Sequence, residues 1–124
     1  MEKIPADFKY TKTHEWIKGE EGIVEIGITD FAQRQLTDIV FVDLPKPGKV
    51  VRNGEVLLSV ESVKSAEDVF CPVNGEVVQT NDILVNKPES INEDPYGTWL
   101  VRIKLSSKAE NLLTPEKYRE LIEK

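Results

Sequence analysis

The sequence predicts a mainly-β domain, and three observations carry that reading. Apolar and polar residues alternate over short runs: Val24, Ile26 and Ile28 share one face, as do Val56, Leu58 and Val60, and then Trp99, Val101, Ile103 and Leu105. A period of two is the mark of a half-buried strand. Turn residues separate the runs, most clearly Pro45-Lys46-Pro47-Gly48. The tetrapeptide Asn-Gly-Glu-Val occurs twice, at 53–56 and 74–77. Asn-Gly marks a tight turn because both residues tolerate positive φ, so Gly54 and Gly75 are both expected there. Six or more short strands with such breaks indicate a sandwich or barrel.

Taken in order, a strand covers Val24 to Ile28, and Asp30 with Gln33 forms a capping box for a short helix over 31–36. The dense apolar run 39–44 is a strand ended by the proline turn, and 56–60 is the next. Val77 and Val78 begin another strand and 83–85 a further one; 86–97, rich in Asn, Pro and acidic residues, is a long loop. After the strand over 99–105, Ser107 and Glu110 form a second capping box leading to Leu112 and Leu113. Thr114 then caps a last helix with Pro115 at its first position. Tyr118, Leu121 and Ile122 share one face of it, which should dock on the sheet.

Composition excludes many functions. The chain has 124 residues, the length of one domain over 1–124, with 16 Lys and Arg against 22 Asp and Glu and a net charge of −6. That sign opposes a phosphate backbone, which needs clustered cations. One cysteine and one histidine cannot build a disulfide, a thiolate zinc site or a histidine pair. The glycines form no phosphate-binding array, no apolar run has membrane-span length, and the start lacks a signal peptide's apolar stretch. The expectation is a soluble cytoplasmic protein with little catalytic equipment.

The repeat is the most specific feature. Its two copies flank Ser62-Val63-Lys64-Ser65, and the midpoint of their asparagines, Asn53 and Asn74, falls between Val63 and Lys64. Two similar half-units therefore frame a hairpin with one lysine near its tip. Lysine offers a flexible stem and an amine that can become an amide, which suits a tethered, swinging cofactor. The plainer alternative, one surface lysine among many, does not account for the flanking repeat.

The stretch Val60-Glu61-Ser62-Val63-Lys64-Ser65-Ala66-Glu67-Asp68-Val69, followed by Pro72, Gly75, Glu76 and Val77, resembles the lipoyl-lysine site of the glycine cleavage H-protein family. His14-Glu15-Trp16, Gly27-Ile28-Thr29-Asp30-Phe31-Ala32-Gln33 and Asp38-Ile39-Val40-Phe41-Val42-Asp43-Leu44-Pro45 are similar to its N-terminal half. Ile91-Asn92-Glu93-Asp94-Pro95-Tyr96-Gly97 and Trp99-Leu100 are similar to its C-terminal half. The departures are Thr37 in place of a usual glycine, Cys71, Ser65-Ala66-Glu67, and a stretch before Trp99 one residue short; none touches Lys64.

The resemblance implies a hammerhead, or barrel-sandwich hybrid, of two small antiparallel sheets with short flanking helices and a C-terminal helix. It implies a non-catalytic carrier holding lipoate by an amide to Lys64. The partners implied are a pyridoxal-phosphate glycine decarboxylase, a tetrahydrofolate-dependent aminomethyltransferase and dihydrolipoamide dehydrogenase. A lipoate ligase or a lipoyl/octanoyl transferase would attach the group. Biotin carriers set their lysine between methionines, and the lipoyl domains of 2-oxoacid dehydrogenases place Asp before it; Val63 and Ser65 match neither. A specialised lipoate carrier for another pathway, such as sulfur oxidation, and an unmodified homologue that binds a partner remain as alternatives.

Other residues carry weaker signals. His14 and Cys71 can be drawn as a nucleophile and base, but Cys71 before Pro72 in an apolar stretch reads as a small buried hydrophobe. Glu15, Glu61 and Glu67 are candidates to line a groove for the arm, although a solvated acidic face is the favoured expectation for them. Trp16 and Trp99 read as core or rim packing.

Overall fold

Pairing of the alternating segments builds two antiparallel sheets. The structure, a computed structural model, describes residues 3–19 and 21–123. In chain order the elements are β1 (Lys9–Tyr10), β2 (Glu15–Lys18), β3 (Ile23–Ile28), α1 (Asp30–Leu36), β4 (Ile39–Asp43), β5 (Val50–Val51) and β6 (Val56–Ser62). They continue with β7 (Ala66–Phe70), β8 (Gly75–Thr80), α2 (Ile83–Asn86), α3 (Ser90–Glu93), β9 (Val101–Leu105) and α4 (Pro115–Ile122). Among the described residues one sheet has six strands, ordered β1-β2-β3-β9-β8-β5, and the other three, ordered β4-β6-β7.

The inward residues of both sheets meet in one core. Val24, Ile26, Val77 and Ile103 from the larger sheet and Val42, Leu58, Val60 and Val69 from the smaller belong to a single buried cluster. The larger sheet's outer side carries a second cluster, because period-two alternation sends Ile17 inward and Trp16 outward. Trp16 lies across Gly27, its ladder partner, where any Cβ would collide with the indole. α4 closes this side: Tyr118 stacks on Tyr10 with ring centroids 4.8 Å apart, and Leu121 and Ile122 pack against the cluster. Thr114 caps α4 as expected, accepting from the Lys117 N–H at 3.2 Å.

Several expected elements differ. Residues 83–85 form the turn of helix α2 instead of a strand, with the Leu84 N–H on the Asn81 carbonyl and the Lys87 N–H on that of Ile83. Only Leu84 is buried there, and a three-residue apolar run holds too little periodicity to separate strand from helix. The expected loop over 86–97 contains α3. No helix follows Ser107; Asn111 takes φ 60 and Leu113 exchanges backbone hydrogen bonds with Tyr10. α1 is capped by the Thr29 hydroxyl, which accepts from the Ala32 N–H, while Asp30 already lies in the helix and accepts from the Gln33 side chain. Leu100 is buried although its alternation points it outward, because β9 begins only at Val101 and the Leu100 N–H bonds to Ile26.

The two Asn-Gly copies touch: the Asn53 N–H donates to the Asn74 side-chain oxygen at 2.8 Å, and the Gly54 N–H to the Cys71 carbonyl at 2.8 Å. Their glycines, however, serve different needs. Gly54 takes φ +93 in open space, as the turn requires. Gly75 has no positive φ; it lies inside β8, where a Cβ would overlap the Lys104 carbonyl and press on the Ile103 side chain. Gly75→Ala should therefore cost about 2 kcal/mol through overpacking against backbone, and Gly54→Ala about 1 kcal/mol through φ alone. Urea denaturation of the two variants checks both the sizes and their order.

Candidate functional site

The hairpin tip between β6 and β7 is built by one serine. The Ser62 N–H donates to the Ser65 carbonyl at 2.7 Å, and the Ser62 hydroxyl oxygen accepts from the Lys64 and Ser65 N–H groups at 3.2 and 3.1 Å. A side-chain oxygen thus replaces a backbone carbonyl in closing the turn. Neither Val63 nor Lys64 needs a positive φ. The tip is fastened sideways by the Val63 N–H, which donates to the Asp38 carbonyl at 2.9 Å. Lys64 is consequently exposed on a fixed base.

A groove of about 410 Å³ opens beside Lys64. Phe31, Ala32 and Leu36 of α1 form one wall, Val60, Glu67 and Val69 of the hairpin another, and His14 and Glu15 close it. The Lys64 ammonium donates to the Gln35 carbonyl at 2.6 Å, near the C-terminal end of α1, where a cation is favoured. The helix is held in turn by Asn92, whose amide donates to Gln33 and to the Thr37 carbonyl and accepts from the Ile39 N–H.

Two polar residues of the groove are not on a solvated face. Glu15 is only 2% exposed and accepts from the hydroxyls of Thr11 and Thr13, each at 2.5 Å, and from the Phe70 N–H at 3.3 Å. Burial holds its carboxyl above the ordinary carboxylate range despite these donors, which favour the charged form. The favoured expectation of a solvated face is corrected for this residue. His14 takes φ 74, tilts against Phe31 at 4.6 Å, and hydrogen-bonds through Nδ1 to the Tyr118 hydroxyl at 2.8 Å. Burial lowers its pKa.

The remaining candidates separate. Glu67 lines the groove and Glu61 does not; Glu61 is exposed, paired between Phe41 and Ala66. Cys71 is buried, its thiol bonded to the Val73 carbonyl and its pKa pushed up to about 11 chiefly by burial, so it is the small hydrophobe expected. Trp16 is core, and Trp99 is a rim residue under the Arg102 guanidinium at 4.0 Å. Among the described residues no group of three or more metal-ligating side chains could hold an ion, and no helix is long and apolar enough to cross a membrane. Sequence reasoning missed Gln35, Asn92 and Tyr118 as site-building residues; the Asn-Glu-Asp-Pro-Tyr run contained Asn92 without indicating what it holds.

Two sheets folded around twin turns, with a single lysine raised between them beside a groove, define a domain of the swinging-arm carrier class. The chain belongs to the glycine cleavage H-protein family, whose model matches residues 8–124. It is 54% identical over 123 residues to a probable glycine cleavage system H protein of Thermoplasma volcanium, covering 99% of this chain and 100% of the relative. It is 47% identical to the glycine cleavage system H protein of Carboxydothermus hydrogenoformans, over 99% and 97% of the two chains. The crystal structure of a glycine cleavage system H protein from Mycobacterium marinum superposes with a TM-score of 0.92 at 38% identity, covering 98% of this chain and all of that one. The family is one of lipoyl carriers.

The groove's polar residues set opposite pH dependences. With its folded pKa raised, Glu15 contributes stability that is fully present below its unfolded value of 4.5 and is lost as pH rises through the folded value. With its folded pKa lowered, His14 contributes stability present above 6.5 that is lost as pH falls through the folded value. Glu15→Gln should therefore gain stability relative to the parent chain as pH is raised from 4.5 to 7, read from thermal unfolding at each pH.

Proposed function

We propose that this chain is the lipoyl-lysine carrier of a glycine cleavage system, a cytoplasmic protein acting as one domain over 1–124 with lipoate joined by an amide to Lys64. The observation that carries this reading is the position of Lys64: exposed on a braced hairpin tip, between twin half-units, beside a groove, in a chain of the H-protein family. The partners in this reading are glycine decarboxylase, an aminomethyltransferase and dihydrolipoamide dehydrogenase. A lipoate ligase or a lipoyl/octanoyl transferase attaches the cofactor.

The residues present fit such a group. Bound lipoate supplies a disulfide that is reduced as the aminomethyl group is taken up and is later reoxidised. The lysine stem gives reach without disturbing the tip, whose N–H groups are held by Ser62 and by the Asp38 carbonyl. Apolar walls from Phe31, Leu36, Val60 and Val69 reduce water access along the groove. Glu15 and Glu67 place carboxylates where an ammonium is favoured. An amide at Nζ retains one N–H, enough to keep the Gln35 carbonyl as a partner while the charge is lost.

Protein made in lipoate-replete cells should carry one lipoyl group, on Lys64 alone, by intact mass and peptide mapping. Lys64→Arg should abolish the modification and the glycine–bicarbonate exchange supported with a glycine decarboxylase, while changing stability by no more than about 0.5 kcal/mol. Biotin at Lys64, or lipoate elsewhere, would defeat the assignment. Full lipoylation with exchange no better than the Lys64→Arg background would leave the cofactor and move the chain to another lipoate pathway.

A further inference from the structure

A second surface adjoins the tip. Strand β4 exposes two consecutive apolar side chains, Val40 at 53% and Phe41 at 50%, because the register with β6 shifts between Ile39 and Phe41. A regular strand would have turned one of them inward. Val63, 67% exposed, adjoins them through its N–H on the Asp38 carbonyl. Three large exposed hydrophobics thus lie on β4 and on the tip joined to it, next to Lys64, and exposed apolar patches mark contact surfaces when they are rimmed by polar groups. The rim is acidic: residues 38–43 and 59–68 hold Asp38, Asp43, Glu61, Glu67 and Asp68, with Lys64 as the one cation.

We propose that Val40, Phe41 and Val63 form the docking surface for the enzyme that acylates Lys64, met by an apolar socket with a basic surround. The inference rests on the lipoyl-lysine reading. Reach selects this partner among those that visit the site. Once modified, the arm extends the side chain, so later enzymes can work at a distance from the tip. Before modification only the lysine's own stem projects, so an enzyme holding an activated acyl group must bring its carbonyl down to the tip and against the neighbouring patch.

The chemistry is acyl transfer from an adenylate or a thioester. The deprotonated amine attacks the acyl carbonyl, the N–C bond forms, and the bond to phosphate or thiol breaks. The adenylate phosphate or thiolate leaves with the electron pair, and the amine loses its proton to a base of the enzyme or to water. The acidic rim steers a basic partner, and this contribution weakens with salt, whereas the apolar contact does not.

The test is the steady-state rate of Lys64 acylation by a lipoate ligase supplied with lipoyl-adenylate, using the full chain as substrate. Phe41→Ser should raise KM about tenfold, equivalent to about 1.4 kcal/mol of lost burial, and leave kcat unchanged. Val63→Ser should act in the same direction and carries the test if Phe41→Ser fails to fold by circular dichroism. Val85→Ser, equally exposed on α2, should change nothing. Glu61→Lys should raise KM and flatten its dependence on salt. An unchanged KM in both folded patch variants overturns the proposal. So does slower decarboxylase-dependent exchange with normal acylation, which would assign the patch to that enzyme. A parent-chain dimer dissolved by Phe41→Ser also overturns it, making the patch a contact between copies. If Lys64 of the parent chain is not acylated at all, the lipoyl reading itself falls and takes this inference with it.

Discussion

The site depends on one side-chain amide. Asn92, delivered by α3, donates to Gln33 in the middle of α1 and to the Thr37 carbonyl just past its end, and accepts from the first N–H of β4. α1 has seven residues, too few to persist alone in water, so its place is set by what its ends hold. The Thr29 cap fixes the start and Asn92 the finish. Between Thr37 and Ile39 stands Asp38, whose carbonyl receives the hairpin tip through Val63. The helix wall, the strand and the lysine-bearing turn therefore share one brace. Thr37 holds φ 64 at that junction, a conformation costly for a non-glycine residue, and it does so with both its N–H and its carbonyl engaged.

The end of the groove is built at a cost to stability. A carboxylate and an imidazole are withdrawn from water there, each shifted toward its neutral form by burial. The partners of Glu15 are its sequence neighbours Thr11 and Thr13 together with Phe70 of β7, whereas that of His14 is distant, Tyr118 of α4, bridged to Thr29. The C-terminal helix thus does more than cover Tyr10, because its tyrosine hydroxyl reaches through to the groove. Buried polar groups of this kind gain from complete hydrogen bonding, and a fully apolar groove end of the same shape would be easier to fold. They are what one expects where a small cation is to be received.

The strands were legible from their alternation, as in β3, but in β6 the register shift between Val56 and Leu58 exposes Val56 and buries Leu57, against the expected face of Val56, Leu58 and Val60. The place of Lys64 at a hairpin tip was legible because the Asn-Gly-Glu-Val repeat frames it, and the two turns do contact each other. What stayed hidden was decided by long-range contacts. Nothing local tells Gly75 from Gly54, since the first is demanded by a carbonyl on β9 and the second by its own φ. Glu15 reads as one acidic residue among many until Thr11, Thr13 and Phe70 close around it. The Ser107 and Glu110 pair has the spacing of a cap, but the bridge from Leu113 to Tyr10 competes for the same backbone. Residues 83–85 failed for a different reason, being too short for any period to speak.

The repeat also explains how an exposed tip can be firm. The β6–β7 hairpin pairs with itself from Val56 to Phe70, and its open end is tied by Gly54 to Cys71 and by Cys71 to Glu55. Those contacts are close in sequence, so they form at little loop-closure cost. The far end is attached to the rest of the molecule by pairing with β4, by the Val63 N–H on the Asp38 carbonyl and by the Lys64 ammonium on the Gln35 carbonyl. Within the turn, Ser62 accepts from the Lys64 and Ser65 N–H groups, and the Val63 N–H turns outward to the Asp38 carbonyl. The groove, in contrast, draws its walls from α1, β2, the hairpin and the Tyr118 network, elements spread over most of the chain. Closure of the turn that carries Lys64 is thus local to the hairpin, its anchoring is shared with α1 and β4, and shelter for whatever it carries is a property of the whole fold. A substitution in the outer cluster around Trp16 and Tyr118 acts on the shelter and leaves the presentation in place.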